Sequence, residues 1–138
     1  MLYLVDTSAW IFALRRDSLE PIRRRNDELL EMDVVATCGI IELELLAGAA
    51  SEGEFARLQS RLLGVHRLPI EESDWESSAR LAFSLRRAGV TVPFTDVLLS
   101  ALAIRHDAVL LHADRDFDLV ANHAQLKVES LVELVQPS

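Results

Sequence analysis

The chain has 138 residues, a length that fits one domain spanning 1–138 and able to bury a sizeable core without disulfides or a structural metal. Half the residues are hydrophobic and only 6% are aromatic, which excludes a disordered chain and predicts a core of Leu, Val, Ile and Ala, with helices covering a sheet on both faces. The formal charge of −8, from 22 acids against 14 Lys and Arg, argues against a broad basic surface for nucleic acid, although carboxylates gathered on divalent cations would lose part of that deficit.

Leu2 to Val5 is a short apolar run that stops at Asp6-Thr7-Ser8, reading as a strand, a tight turn and a cap for a helix over Ala9 to Arg16. No basic segment precedes it, and the apolar stretch Ala9 to Leu14 is too short to span a bilayer, so a soluble, cytoplasmic protein is expected. Asp17 with Glu20, and Pro21 in the first turn, open a second helix to about Glu31. Arg15, Arg16, Arg23, Arg24 and Arg25 form a basic group that reads equally well as a solvated helix face or as an RNA contact.

Val34 to Ala36 is a brief strand, after which Thr37 is placed to cap a helix running to the Gly48 region. Cys38 is the only cysteine; it rules out an internal disulfide or a cysteine cage for zinc, fits a reducing compartment and reads as a small buried apolar residue. Ser51 with Glu54 has the capping-box pattern for a helix ending near Leu63-Gly64, followed by a strand over Val65 to Leu68. Ser73 with Glu76 repeats that pattern, and Gly89 suits the left-handed position that ends the helix.

Val90 to Phe94 reads as a connector, Thr95 as the cap of a helix from Asp96 to about His106, and Val109 to Leu111 as a strand. Asp114 to Asn122 has the pattern of a short helix after an acidic loop, and Lys127-Val128 that of a last strand. Short apolar runs separated by amphipathic helices imply parallel strands with helical crossovers, hence a three-layer α/β/α sandwich with a short, mostly parallel central sheet.

In such sheets, ligands bind beyond the carboxyl ends of the strands. Asp6, Asp96, Asp114 and Asp116 all fall at that predicted edge. Each alone reads more readily as a helix cap. Together they would repel one another strongly without a cation or shared protons, and a hard divalent ion held by carboxylate oxygens answers that need. Glu42 and Glu44 lie two apart on one helix and project roughly 200° from each other, so both cannot face one site; periodicity leaves the choice open.

His66, His106, His112 and His123 show no metal-ligand spacing and read as surface or partly buried structural residues. Trp10 and Trp75 sit at helical apolar positions and read as core or interface anchors rather than base-stacking platforms.

Four stretches, Val5-Asp6-Thr7-Ser8-Ala9-Trp10, Glu44-Leu45-Leu46-Ala47-Gly48, Pro93 to Ala101, and His112-Ala113-Asp114-Arg115-Asp116-Phe117, resemble in order the motifs of PIN-domain ribonucleases, most closely the VapC toxins of VapBC toxin–antitoxin pairs. The resemblance spans nearly the whole chain. It implies a PIN fold and an acidic metal site of Asp6, Glu44, Asp96 and Asp114, with Asp116 as an additional acid. It also favours Glu44 over Glu42, because the family's glutamate precedes its glycine by four residues.

Thr7, Ser8 and Thr95 are then groups that orient carboxylates or water, plain helix capping being the other reading of each. The implied cofactor is Mg²⁺, or Mn²⁺, and the implied reaction is hydrolysis of RNA phosphodiester bonds. Implied partners are a VapB-like antitoxin, a second copy in a homodimer, and the toxin–antitoxin hetero-oligomer built from them.

A receiver-like phosphorelay domain also holds Mg²⁺ on a doubly wound sheet. It calls for adjacent acids after the first strand and a later Lys, whereas Asp6 stands alone and Lys127 is the only lysine. A haloacid-dehalogenase-type phosphatase wants a second Asp where Ser8 stands. A non-catalytic PIN-fold interaction module is the remaining alternative, and the full set of acids weighs against it.

Overall fold

The computed structural model describes residues 1–14 and 19–135; the expectations for Arg15, Arg16 and Asp17 lie outside them. Five strands, β1 (Tyr3–Val5), β2 (Val35–Thr37), β3 (His66–Arg67), β4 (Val109–His112) and β5 (Lys127–Ser130), form one sheet in the order β3-β2-β1-β4-β5. Every pairing is parallel. Leu4, Val5, Leu110 and Leu111 are at most 1% exposed, as expected of central strands covered on both faces.

The chain runs outward from β1 through β2 to β3, then returns across the sheet to β4 and on to β5. Right-handed crossovers in opposite directions put their helices on opposite faces. The packing agrees: α1 (Thr7–Leu14), α2 (Glu20–Glu31), α3 (Gly39–Ala47) and α4 (Glu52–Leu63) contact one another, while α5 (Glu72–Arg87), α6 (Phe94–Arg105) and α7 (Arg115–Ala121) form a second group. A last short helix, α8 (Val132–Val135), follows β5. The reversal of direction falls between β1 and β4, and in open sheets that switch point is where a ligand crevice forms.

Several helix starts differ from expectation. Thr37 ends β2 instead of capping α3, and its buried Oγ1 has no hydrogen-bond partner; Cys38, fully buried, occupies the cap position. Leu19 precedes α2. Ser51 does cap α4, accepting from the Glu54 N–H at 3.1 Å, but the Glu54 carboxylate reaches the N–H of Ala50 rather than that of Ser51.

α5 begins at Glu72, ahead of Ser73, because Glu71 and Asp74 form the reciprocal capping box. α6 begins at Phe94 with Pro93 before it, so Thr95 lies inside the first turn and caps nothing. Gly89 takes the expected left-handed conformation, φ +82°. Asp33 and Asp107 take it too, at φ 58° and 52°, in the turns that lead from α2 into β2 and from α6 into β4; a short polar side chain tolerates this conformation better than most.

One buried ion pair ties α5 to α6. Asp74, 1% exposed, accepts from Arg105 Nε at 2.7 Å and Nη2 at 3.0 Å, and from the Glu71 N–H at 2.7 Å. That bidentate geometry fixes the start of α5 against the end of α6, and α6 in turn carries Asp96 in its first turn.

Candidate metal centre

At the switch point β1 and β4 run side by side, and the Asp6 N–H continues the ladder by donating to the Leu111 carbonyl at 2.9 Å. The residues that leave these two strands are therefore neighbours. Asp6 Oδ2 accepts from the Ser8 N–H at 3.0 Å and the Ser8 hydroxyl at 2.6 Å, a turn that closes β1 onto α1. Ser8 Oγ also accepts from the Ala113 N–H at 2.9 Å, clamping the start of the acidic loop to the end of β1. Asp114 caps α7, its Oδ1 accepting from the Asp116 N–H at 3.0 Å.

The capping and metal readings of these acids thus coexist, since each cap bond fixes the direction of a carboxylate at the sheet edge. Asp96, Asp114 and Asp116 each present an oxygen, and these oxygens lie within 4.8 Å of one another. Asp6 and Glu44 fall outside that tight group but act on it. Burial, and after it the carboxylates of Asp114, Asp6, Asp116 and Glu44, push Asp96 up to about 7. Burial also raises Asp6, against the hydrogen bonds from Ser8 and the Thr7 backbone that lower it. Asp116 is raised by burial and by Asp114.

Such a set fits a hard divalent cation: oxygen donors only, with ionisation disfavoured until a positive charge balances it. Asp6 and Asp96, 5% and 9% exposed, form the floor, while Asp114 and Asp116 are half-buried and Glu44 is exposed.

The two glutamates take different partners, each distant in sequence. Glu42 accepts from Arg67 Nε at 3.0 Å, which draws it toward β3. Glu44 Oε1 accepts from Thr7 Oγ1 at 3.0 Å and is among the charges acting on Asp96. Thr95 is exposed and makes no cap bond; Thr7 and Ser8 are the hydroxyls that bind these carboxylates.

His112 was expected to be structural, and it is buried at 0% exposure. Its role is nonetheless local to the site: Nδ1 accepts from the Asp114 N–H at 3.2 Å, which puts the ring proton on Nε2, 3.2 Å from Asp118 Oδ1. Burial lowers its basicity, so the neutral ring serves as a fixed acceptor. A single sequence gave no signal for this bond, because it follows from the backbone turn after β4.

The arginine group divides. Arg25 bonds Glu129 on β5 through Nε and Nη2, both at 2.8 Å, and Tyr3 Oη at 3.4 Å, so it has a structural partner; Arg24 pairs with Glu20. Trp10 is core at 1% exposure, but Trp75, expected as core or interface, is 58% exposed. No helix among the described residues is long and apolar enough to cross a membrane.

Comparison with known proteins agrees with this architecture. The PIN domain family model matches residues 3–123. The VapC ribonuclease Mb1587 of Mycobacterium bovis is 35% identical over 130 residues, covering 92% of this chain and 97% of that protein. DNA-bound VapBC from Salmonella typhimurium superposes with a TM-score of 0.78 at 21% identity, over 94% of this chain and 98% of that one. VapBC-5 of Mycobacterium tuberculosis, a member of the VapBC family of toxin–antitoxin systems, gives 0.61 at 25% identity, over 94% and 96%. The receiver and phosphatase alternatives fall with these matches: the chain belongs to the PIN-domain family, among its VapC ribonucleases.

Proposed function

We propose that this protein is a ribonuclease toxin that hydrolyses RNA phosphodiester bonds with Mg²⁺, or Mn²⁺, held by Asp6, Glu44, Asp96, Asp114 and Asp116, and that residues 1–138 work as one PIN domain. The observation that carries the reading is the convergence of the Asp96, Asp114 and Asp116 oxygens within 4.8 Å, with Asp6 and Glu44 near enough to act on Asp96. When bound, the ion supplies Lewis acidity toward the scissile phosphate and a more acidic water, so no Ser, Cys or His nucleophile is required.

The chain's own residues supply aim and proton transfer. Ser8 fixes Asp6, the Asp116 N–H fixes Asp114, and Thr7 holds Glu44 at the rim. Glu44, exposed where the other acids are buried or half-buried, is best placed to take a proton from water. RNA cleavage with Mg²⁺ or Mn²⁺ in the wild type, Asp6→Asn and Asp96→Asn proteins tests this. Loss of at least about 100-fold in both variants is expected, and equal activity in all three proteins rejects the site.

The VapBC and toxin–antitoxin titles of the solved neighbours support a VapB-like antitoxin as partner in a hetero-oligomer, to which the reading adds a homodimer of this chain. A groove of about 280 Å³ beside the site, lined by Ile11, Leu14, Leu45 and Leu58 with Glu44 and Glu54 at its edge, suits the apolar face of a helix bearing a basic side chain.

A further inference from the structure

Two exposed phenylalanines stand near the turn between α5 and α6, and each carries an arginine on its ring. The Arg86 guanidinium carbon lies 5.2 Å from the centroid of the Phe94 ring, and that of Arg87 lies 5.6 Å from the Phe83 ring. The rings remain 67% and 63% exposed, so stacking by the arginines has not removed them from water. Phe83 and Arg87 lie two residues to either side of the buried Leu85, and so project roughly 200° from it, away from the core.

Arg24, Arg25, Arg67 and Arg105 are paired with carboxylates. Among the described residues Arg86 and Arg87, like Arg57, Arg61 and Arg80, have no carboxylate within ion-pair distance; what sets Arg86 and Arg87 apart is that each lies over an exposed ring. In a chain of net charge −8, unpaired guanidiniums seated on exposed rings are what a polyanion with flat bases would recognise: phosphates meet the charge and bases meet the ring faces. The patch also adjoins the acids, because Phe94 opens α6 and Asp96 lies in that same first turn. Two residues apart, they project to opposite sides of the helix end, so Phe94 stands on the flank turned away from Asp96, within a helix width of roughly 10–12 Å, and a strand laid on the rings reaches the acids by crossing the helix end.

We propose that Phe83, Phe94, Arg86 and Arg87 form a stacking platform for single-stranded RNA, holding the bases that flank the phosphate at the acid cluster. This rests on the ribonuclease reading above and adds a place for the substrate strand. A second copy of the chain is the less suited occupant, since a two-fold contact through this patch sets one cationic surface against another.

Binding of a short fluorescein-labelled single-stranded RNA, followed by anisotropy in metal-free buffer, tests the platform without depending on cleavage. The Phe83→Ala/Phe94→Ala and Arg86→Gln/Arg87→Gln proteins are expected to bind about 10- to 100-fold more weakly, with Phe94→Trp close to wild type. In the arginine pair the log–log salt slope should shrink by about 1.4, at roughly 0.7 per phosphate contact on a single strand. With Mg²⁺ or Mn²⁺, hydrolysis of bis(p-nitrophenyl) phosphate, too small to span platform and acids, should keep its kcat/KM in every variant.

Equal RNA affinity in wild type and variants overturns the platform, as does a change in sedimentation that shows these residues joining two copies. A wild type that binds RNA through these residues but cuts neither substrate removes the ribonuclease reading and leaves the platform standing.

Discussion

At the scale of single residues, Asp96 carries the conflict on which the site depends. It is 9% exposed and faces four other carboxylates that, with burial, push it up to about 7. Replacing it with the isosteric amide removes a repelling charge and a ligand together. Asp96→Asn should therefore raise the unfolding free energy of the metal-free protein by about 1–3 kcal/mol at pH 8, while calorimetry shows Mg²⁺ uptake lost. A variant that is destabilised without metal would show that the acids do not strain one another.

Asp6, Asp114 and Asp116 were legible because they follow β1 and β4, and Asp96 because it lies in the first turn of a helix, whereas Glu44, within α3, was reached only through the family resemblance. The orientation of Glu42 was not legible. It depends on Arg67, 25 residues away on β3, a pairing invisible to helical periodicity. Of the two readings of Trp75, core or interface, its exposure removes the first: a large apolar residue on a helical stripe is no guarantee of burial when the neighbouring buried position is taken by Asp74, whose ion pair sets how α5 sits.

At the scale of elements, that ion pair does more than an ordinary cap. Ser73 with Glu76 satisfies the capping-box pattern as well as Glu71 with Asp74 does, so local sequence could not choose between two starts for α5. The choice falls to Asp74 because its buried carboxylate meets the cation it needs in Arg105, at the far end of α6. Burial works against the Asp74 charge, but the Arg105 hydrogen bonds and charge outweigh it and hold the carboxyl below its ordinary value.

A depressed carboxyl adds stability that is present above its unfolded pKa and lost as pH falls through the folded one. Asp74→Ala removes the main partner of Arg105, which keeps Glu71 and the Pro69 carbonyl, and should cost about 1–3 kcal/mol in denaturant unfolding, with the acid limb of the wild-type stability profile flattened. An unchanged midpoint would mean that the α5–α6 hairpin stands on its apolar contacts alone.

Across the whole molecule, a parallel sheet between helical layers was foreseen from alternating strand and helix patterns, whereas the order β3-β2-β1-β4-β5 was not, since it depends on which strands pair. The two-residue strand β3 lies inside the expected Val65 to Leu68 run, while the short helix α8 was not legible, having too few residues for a helical period to register. The net charge of −8 and the raised acids predict how stability responds to pH. Between the ordinary carboxyl value and about 7, folded Asp96 keeps a proton that the unfolded chain has released, so the unfolded state binds fewer protons and stability falls as pH rises. Metal-free thermal midpoints should decline over that window, and Mg²⁺ should restore them increasingly toward pH 8, by about 2.7 kcal/mol at a hundredfold excess over its dissociation constant. A magnesium effect independent of pH would sever the link between the ion and these carboxylates.

The central position of β1 has a consequence in time. Its β4 neighbour is acquired only after residue 109 has been made, and the acids at 114 and 116 come later still. At ribosomal speeds of roughly 5–20 residues per second, several seconds separate the emergence of β1 from that of the carboxylates it will stand beside, and throughout that interval the cluster of Asp96, Asp114 and Asp116 has yet to be assembled.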